Sequence, residues 1–231
     1  MSNPKYKHPM GYYVEFEGID ASGKSSLMDA VATELELSRI MVEKTREPGS
    51  QHDKITTAIR ELFKSGVEID PLAEVYLFAA DRAQHLRKVV MPKLDRGVTV
   101  LQDRGIWSTV AYQGYGRGVS MELIILMNKL LAGLMPPDLI VWVDTPVDVA
   151  AGRLSTNRTD QIEVFNKLSF QEKVYKGYLD LFNKKTPELF YVDSPPVVRL
   201  DGRRTPAELK KDAIAAIRDA APYTSGRLAT L

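Results

Sequence analysis

Residues Gly18-Ile19-Asp20-Ala21-Ser22-Gly23-Lys24-Ser25 repeat a spacing with a defined physical use: Gly, four residues, then Gly-Lys-Ser. Glycines let the backbone curl until successive N–H groups point inward, and a helix that starts at the lysine adds its positive dipole end. Such a cradle holds the phosphates of a nucleoside triphosphate. Lys24 reaches the β- and γ-phosphates, the Ser25 hydroxyl can ligate Mg²⁺, and Ser26 closes the loop. The alternative, an ordinary Gly-rich turn with an incidental lysine, fits poorly, because a β-rich run precedes the loop and a helical pattern follows it. The expected ligand is a nucleoside triphosphate with Mg²⁺, bound by Gly18 to Ser26.

The elements that must position this loop alternate along the chain. Tyr12–Glu17 reads as a strand, a helix follows from about Lys24, and Met41–Thr45 reads as a second strand closed by Pro48-Gly49. Asp70 as N-cap and Pro71 at the first helical position open a helix over LAEVYLFAADRAQHLRKVV, punctuated by Pro92 and Gly97. Strands follow at Val98–Leu101, Leu139–Val143 and Val197–Leu200. Ser120 and Thr205-Pro206 open further helices. Apolar strands separated by helices predict an α/β domain: a five-stranded parallel sheet flanked by helices, here with the phosphate loop of a P-loop NTPase. The expected organisation is a polar lead over 1–11, one domain over 12–221 with a short polar lid at about 150–166, and a tail over 222–231.

Composition sets the outer bounds. A chain of 231 residues with 44% hydrophobic and 26% charged side chains can bury one sizeable core. A formal net charge of +1 gives no sign of a nucleic-acid partner. The absence of cysteine excludes disulfides and thiolate metal sites, and His8, His52 and His85 share no ligand spacing. No apolar run reaches membrane-spanning length, and the first residues lack a signal-peptide pattern, so a cytoplasmic protein is expected.

Beyond the loop, the chain resembles the thymidylate kinases. VEFEGIDASGKSS is similar to that family's FEGxDGxGKST, Thr45-Arg46-Glu47-Pro48-Gly49 to its TREPGG, and Leu77–Arg82 to its LFxAxR helix. Asp103-Arg104 with Ser108–Gly114 is similar to its DR(Y/H)…S(S/T)xAYQG segment, and RLSTNRTDQIE to its arginine-bearing lid. The resemblance implies a dTMP acceptor, ATP and Mg²⁺ as cofactors, and a homodimer for which the helices around Tyr76 and Ile124 offer either surface or core. It implies that Arg46 and Arg104 contact the acceptor phosphate, that Arg60 supports that region, and that Phe78 stacks on the base while Arg82 hydrogen-bonds it. It likewise implies that Asp20 meets the sugar 3′-hydroxyl, that Tyr112 crowds the 2′ position, and that Thr109 and Gln113 reach the base.

Single residues have plainer readings: Phe78 and Tyr112 as core aromatics, Arg82 as a solvated helix charge, Asp103 as a turn cap. Asp103 in the active-site reading holds Mg²⁺, through water, or orients an arginine. Ala21 resembles the branch of the family whose transition-state arginine comes from the lid, which makes Arg158 and Arg153 the candidates beside Lys24, Asp103 and Arg104. Gly105, Ser50-Gln51 and Gln161 depart from the family's pattern and leave open a related acceptor, dUMP or a 5-substituted dUMP. A reading of another class, an ATPase or switch module without acceptor chemistry, leaves the Phe78/Arg82 and Tyr112/Gln113 pairs without a purpose.

Overall fold

The computed structural model describes residues 11–154, 161–183 and 195–220. The lead over 1–10, the tail from 221 and the lid segment 155–160 with Arg158 lie outside the described residues. Five strands, β1 (Tyr12–Glu17), β2 (Val42–Arg46), β3 (Thr99–Asp103), β4 (Leu139–Asp144) and β5 (Val197–Asp201), form one parallel sheet in the order β2-β3-β1-β4-β5. With β1 at its centre, this is the P-loop NTPase fold.

Strand β1 is buried along its whole length, YYVEFE included, because helices cover both faces of the sheet. Its period of two divides the two layers. Tyr12, Val14 and Phe16 pack with Leu27, Val31 and Leu35 of α1 (Lys24–Leu37) and Leu209, Ala213 and Ile217 of α9 (Pro206–Ala220). On the opposite face Tyr13 and Val100 meet Leu86, Val90 and Leu94, while Ile140 and Trp142 pack on Ile106, Trp107, Val110 and Val174. That second layer comprises α3 (Pro71–His85), α4 (Met91–Leu94), α5 (Ile106–Thr109), α6 (Met121–Leu134), α7 (Val147–Leu154) and α8 (Gln161–Asn183).

Several boundaries differ from the sequence reading. Asp103 belongs to β3 itself and pairs in register with both Phe16 and Arg46. The long helix does not stop at Pro92: α3 passes through a π-helical turn at Leu86–Val90 and re-forms as α4. Pro92 then sits in the first turn of that segment, directly after the π-helical turn, the kind of local adjustment that accompanies a proline within a helical run. Ile124, one of two centres suggested for a subunit surface, is fully buried in the core, whereas Tyr76 is half-exposed.

Two helical stretches have no counterpart in the sequence reading. Helix α2 (Lys54–Lys64) starts at Asp53, whose carboxylate accepts from the N–H groups of Ile55 and Thr56, a cap worth about 1 kcal/mol. Helix α5 runs on through a second π-helical turn, Val110–Gly116, which carries Tyr112 and Gln113.

Candidate active site

The carboxyl ends of parallel strands converge on one edge, where α/β sheets bind their ligands. The loop after β1 bends there at Gly18 and Gly23, both with left-handed φ (+151° and +93°). A Cβ on Gly18 would stand 2.8 Å from Ser22 Oγ and from the Val143 carbonyl oxygen, so the close approach itself demands glycine. Ala21 holds φ +58° without that freedom, a strain of about 1–2 kcal/mol placed in the phosphate loop.

Behind the loop, neighbouring elements grip its carbonyls. The Thr145 hydroxyl donates to Ser22 O at 3.0 Å, and Arg153, at the end of α7, donates to Ser22 O at 2.8 Å and to Gly202 O at 2.6 Å. Arg153 is therefore tied to backbone of the loop and of the β5 turn.

Lys24, the first residue of α1, is buried with its Nζ 3.7 Å from Asp103 Oδ1. Burial, aided by the Arg104 cation, lowers its pKa to about 8. The Ser25 hydroxyl donates to Asp103 Oδ2 at 2.6 Å, while Asp103 Oδ1 is buried without a hydrogen-bond partner among the described residues. Lysine, hydroxyl and carboxylate thus meet at one point.

Arg104 follows with φ +70°, unusual for a residue with a side chain, and its backbone is held from both sides. Its N–H donates to Phe16 O at 3.0 Å, and Gln102 Nε2 donates to its carbonyl at 2.9 Å. The guanidinium lies 4.6 Å from the centre of the Tyr112 ring and donates to Asp20 (2.5 Å), Tyr112 Oη (2.9 Å), Ser108 Oγ (3.0 Å) and Gly18 O (3.2 Å). Burial pushes the Asp20 carboxyl up, but the Arg104 and Lys24 cations outweigh it and hold the pKa below its usual range.

Against Arg104 opens a cavity of about 150 Å³, the size class that accepts one six-membered ring. Asp20, Phe78, Arg82, Arg104, Thr109, Tyr112 and Gln113 line it, joined by Glu47, Pro48, Gly105 and Ser108. Seven residues nominated from sequence thus share one wall. Arg46 and Arg60 do not line it: Arg46 is exposed at the end of β2, and Arg60 donates to Pro48 O at 2.8 Å across the cis Glu47-Pro48 corner. Ser26 is exposed beside the loop.

The plain readings of Phe78 and Arg82 change in this setting. Phe78 stacks one face on Phe63 of α2 at 4.5 Å, which leaves the opposite face to the cavity. Arg82 is no solvated charge: it is 3% exposed and donates to Glu47 Oε2 at 2.8 Å, to Thr109 Oγ1 at 3.0 Å and to Asn128 Oδ1. Glu47 is buried too. Burial raises its pKa, but the Arg82 cation and the His85 contact prevail and keep it low.

Supporting residues that motif reasoning does not reach complete the wall. Glu17 accepts from Gly105 N–H (2.8 Å), Ser108 N–H (3.2 Å), Ser108 Oγ (2.7 Å) and Tyr178 Oη (2.7 Å), capping the start of α5 with a buried anion. Gln171 of α8 donates to Asp20 Oδ2 at 2.8 Å. Glu74 accepts from Gln113 Nε2. Their only sequence signal is polarity on otherwise buried faces, β1's YYVEFE being the clearest.

Beneath Gly105 lies Glu15, whose carboxyl oxygens would stand 2.5–2.6 Å from a Cβ added at that glycine. Burial, with Glu17 and Glu47 nearby, raises the Glu15 pKa to about 8, and its Oε2 is buried without a hydrogen-bond partner among the described residues. Any side chain at position 105 therefore requires the Glu15 carboxyl to move.

Comparison with known proteins agrees with this geometry. Residues 16–199 match the family model described as thymidylate kinase. A thymidylate kinase of Thermosynechococcus vestitus is 38% identical over 205 residues, covering 82% of this chain and 84% of its own. One from Citrifermentans bemidjiense is 37% identical over 224 residues, covering 90% of this chain and 99% of its own. One from Geobacter sulfurreducens is 39% identical over 180 residues, covering 74% and 84% respectively.

Proposed function

The chain belongs to the thymidylate kinase family, and from that premise we propose that it transfers the γ-phosphoryl group of ATP to dTMP, giving dTDP and ADP. The observation that carries this reading is Arg104, which joins Asp20 of the phosphate loop to Tyr112 and Ser108 of the ring-sized cavity. Donor and acceptor sites share a wall, as direct phosphoryl transfer requires. A switch or ATPase without an acceptor has no use for that cavity.

In this reading the loop amides and Lys24 hold the donor phosphates, while Arg104 turns its fork from Asp20 to the acceptor phosphate, with Arg46 and Arg60 nearby. Phe78 stacks on the base, Arg82, Thr109 and Gln113 line its edge, and Tyr112 and Asp20 face the sugar. Positioning and charge stabilisation supply the rate without a covalent intermediate. The lid arginine Arg158 neutralises charge on the transferring group, while Arg153, which donates to Ala21 O and Ser22 O, serves the bound ATP by adenine stacking or phosphate contact.

Mg²⁺ fits the residues present. Ser25 and Asp103 offer hard oxygen donors, and Asp103 Oδ1, with no hydrogen-bond partner among the described residues, suits a bound cation or one of its waters. The ion supplies charge neutralisation across the phosphates.

Exposed Leu72 and Tyr76 on α3 and Leu126 on α6 support a homodimer, which light scattering tests directly. No helix among the described residues is long and apolar enough to cross a membrane. A coupled assay for ADP across nucleoside monophosphates tests the function: turnover with dTMP is expected. ATP hydrolysis indifferent to dTMP and dUMP would overturn it.

A further inference from the structure

Gln113 is 5% exposed and lines the cavity, yet an amide can face a ligand with either of two opposite chemistries. Its –NH₂ donates, its carbonyl oxygen accepts, and the two have nearly the same shape. Here a third residue removes the ambiguity. Gln113 Nε2 lies 3.0 Å from Glu74 Oε2, and Glu74 is 6% exposed with its other oxygen 3.1 Å from Arg117 Nη2. Paired with Arg117, Glu74 is a carboxylate, and a carboxylate only accepts. The –NH₂ must therefore turn toward Glu74 and spend one of its two N–H groups there, which sets Oε1 on the opposite edge of the amide as its acceptor. No residue among those described donates to that oxygen.

We infer that Glu74 is a specificity-determining positioning residue: by fixing the Gln113 amide, it makes this wall accept a hydrogen bond from the acceptor base. The inference rests on the proposed acceptor site and deepens it. A thymine or uracil ring carries N–H at position 3 and can donate to Gln113. A cytosine ring carries a lone pair there, so two acceptors would face each other across a contact whose protein side is 5% exposed. A buried acceptor left unpaired rejects a ligand far more strongly than a misplaced methyl group does. Glu74 also stands in the first turn of α3, where an acid favours the helix dipole, so loss of stability alone would not reveal this role.

Glu74→Gln tests it, because an amide at 74 can meet either face of Gln113 and frees it to turn. The expected result is retained dTMP turnover with the dTMP-over-dCMP ratio of kcat/KM reduced about 10–100-fold. An unchanged ratio, with both substrates slowed equally, overturns the inference and leaves the kinase reading standing. If that variant does not fold, Glu74→Ala serves in its place: the dTMP-over-dCMP ratio of kcat/KM is expected to fall about 10–100-fold, and an unchanged ratio overturns the proposal. Failure of the kinase reading looks different, since neither dTMP nor dUMP would then be phosphorylated at all.

Discussion

The Ser25 hydroxyl donates to Asp103 Oδ2 at 2.6 Å, joining the first turn of α1 to the last residue of β3. These residues are 78 positions apart in the chain, and the adjacency of β1 and β3 brings them together. The contact leaves Asp103 Oδ1 without a hydrogen-bond partner beside Lys24.

Ser25→Ala and Asp103→Asn each remove one oxygen donor without enlarging a side chain. Turnover is expected to fall about 10²–10³-fold, with the Mg²⁺ concentration for half-maximal rate rising. A magnesium titration of steady-state rate measures both, and an unchanged half-maximal concentration would exclude these residues from the cation site.

Lys24 with a pKa of about 8 is partly uncharged in weakly alkaline solution. Bound phosphates favour the ammonium form and raise that pKa, so ATP binding takes up a proton near pH 8. ATP affinity is expected to decline as pH rises past about 8, and to be level well below it. Calorimetry in two buffers of different ionisation enthalpy measures the proton uptake directly.

Glu15 gives the fold a pH dependence of definite sign. Its folded pKa, about 8, stands above the ordinary 4.5, so the native state keeps a proton that the unfolded chain has released. Stability therefore falls as pH rises between those values and levels off above the higher one. Glu15→Gln removes this slope. The variant is expected to match the parent near pH 4.5 and to exceed it at pH 8 by at least about 1 kcal/mol, or about 2–4 °C in Tm. Thermal melts at several pH values decide it.

The same acid makes Gly105 a packing requirement. Its φ is −144°, outside the left-handed region, and the three atoms nearest to a Cβ placed there all belong to the Glu15 carboxyl group. Gly105→Ala is expected to cost about 1–3 kcal/mol, and Glu15→Ala to recover most of that cost in the double variant. A double-mutant cycle of denaturant midpoints shows the coupling, and additive effects would sever the pair.

Arg104→Ala removes four donated contacts at the meeting of the two sites. The expected outcome is a loss of about 10²–10³ in kcat/KM for dTMP, with ATP binding by calorimetry little changed. Arg82→Ala is the poorer probe of the base: it strands Glu47 as a buried anion, at a cost of about 3–5 kcal/mol to the fold itself. Melting the variant alongside its assay separates the two effects.

The sequence alone determined the parts of this protein that depend on neighbouring residues. Gly18 to Ser25 specify a curled loop because the backbone freedom and the charge are local, and Asp70-Pro71 starts a helix for the same reason. Five patterns in family order carried the acceptor residues as well. What only the tertiary structure decided is which of those groups are buried and which way they face. Arg82 reads as a surface charge until α3, α6 and the β2 edge enclose it with Glu47, Asn128 and Thr109. Glu15 reads as one polar residue in a strand until β3 brings Gly105 over it. Gln113 has two possible faces until Glu74, 39 residues earlier, takes one of them. Desolvation and hydrogen-bond direction are properties of surroundings, and a parallel sheet draws those surroundings from distant stretches of chain.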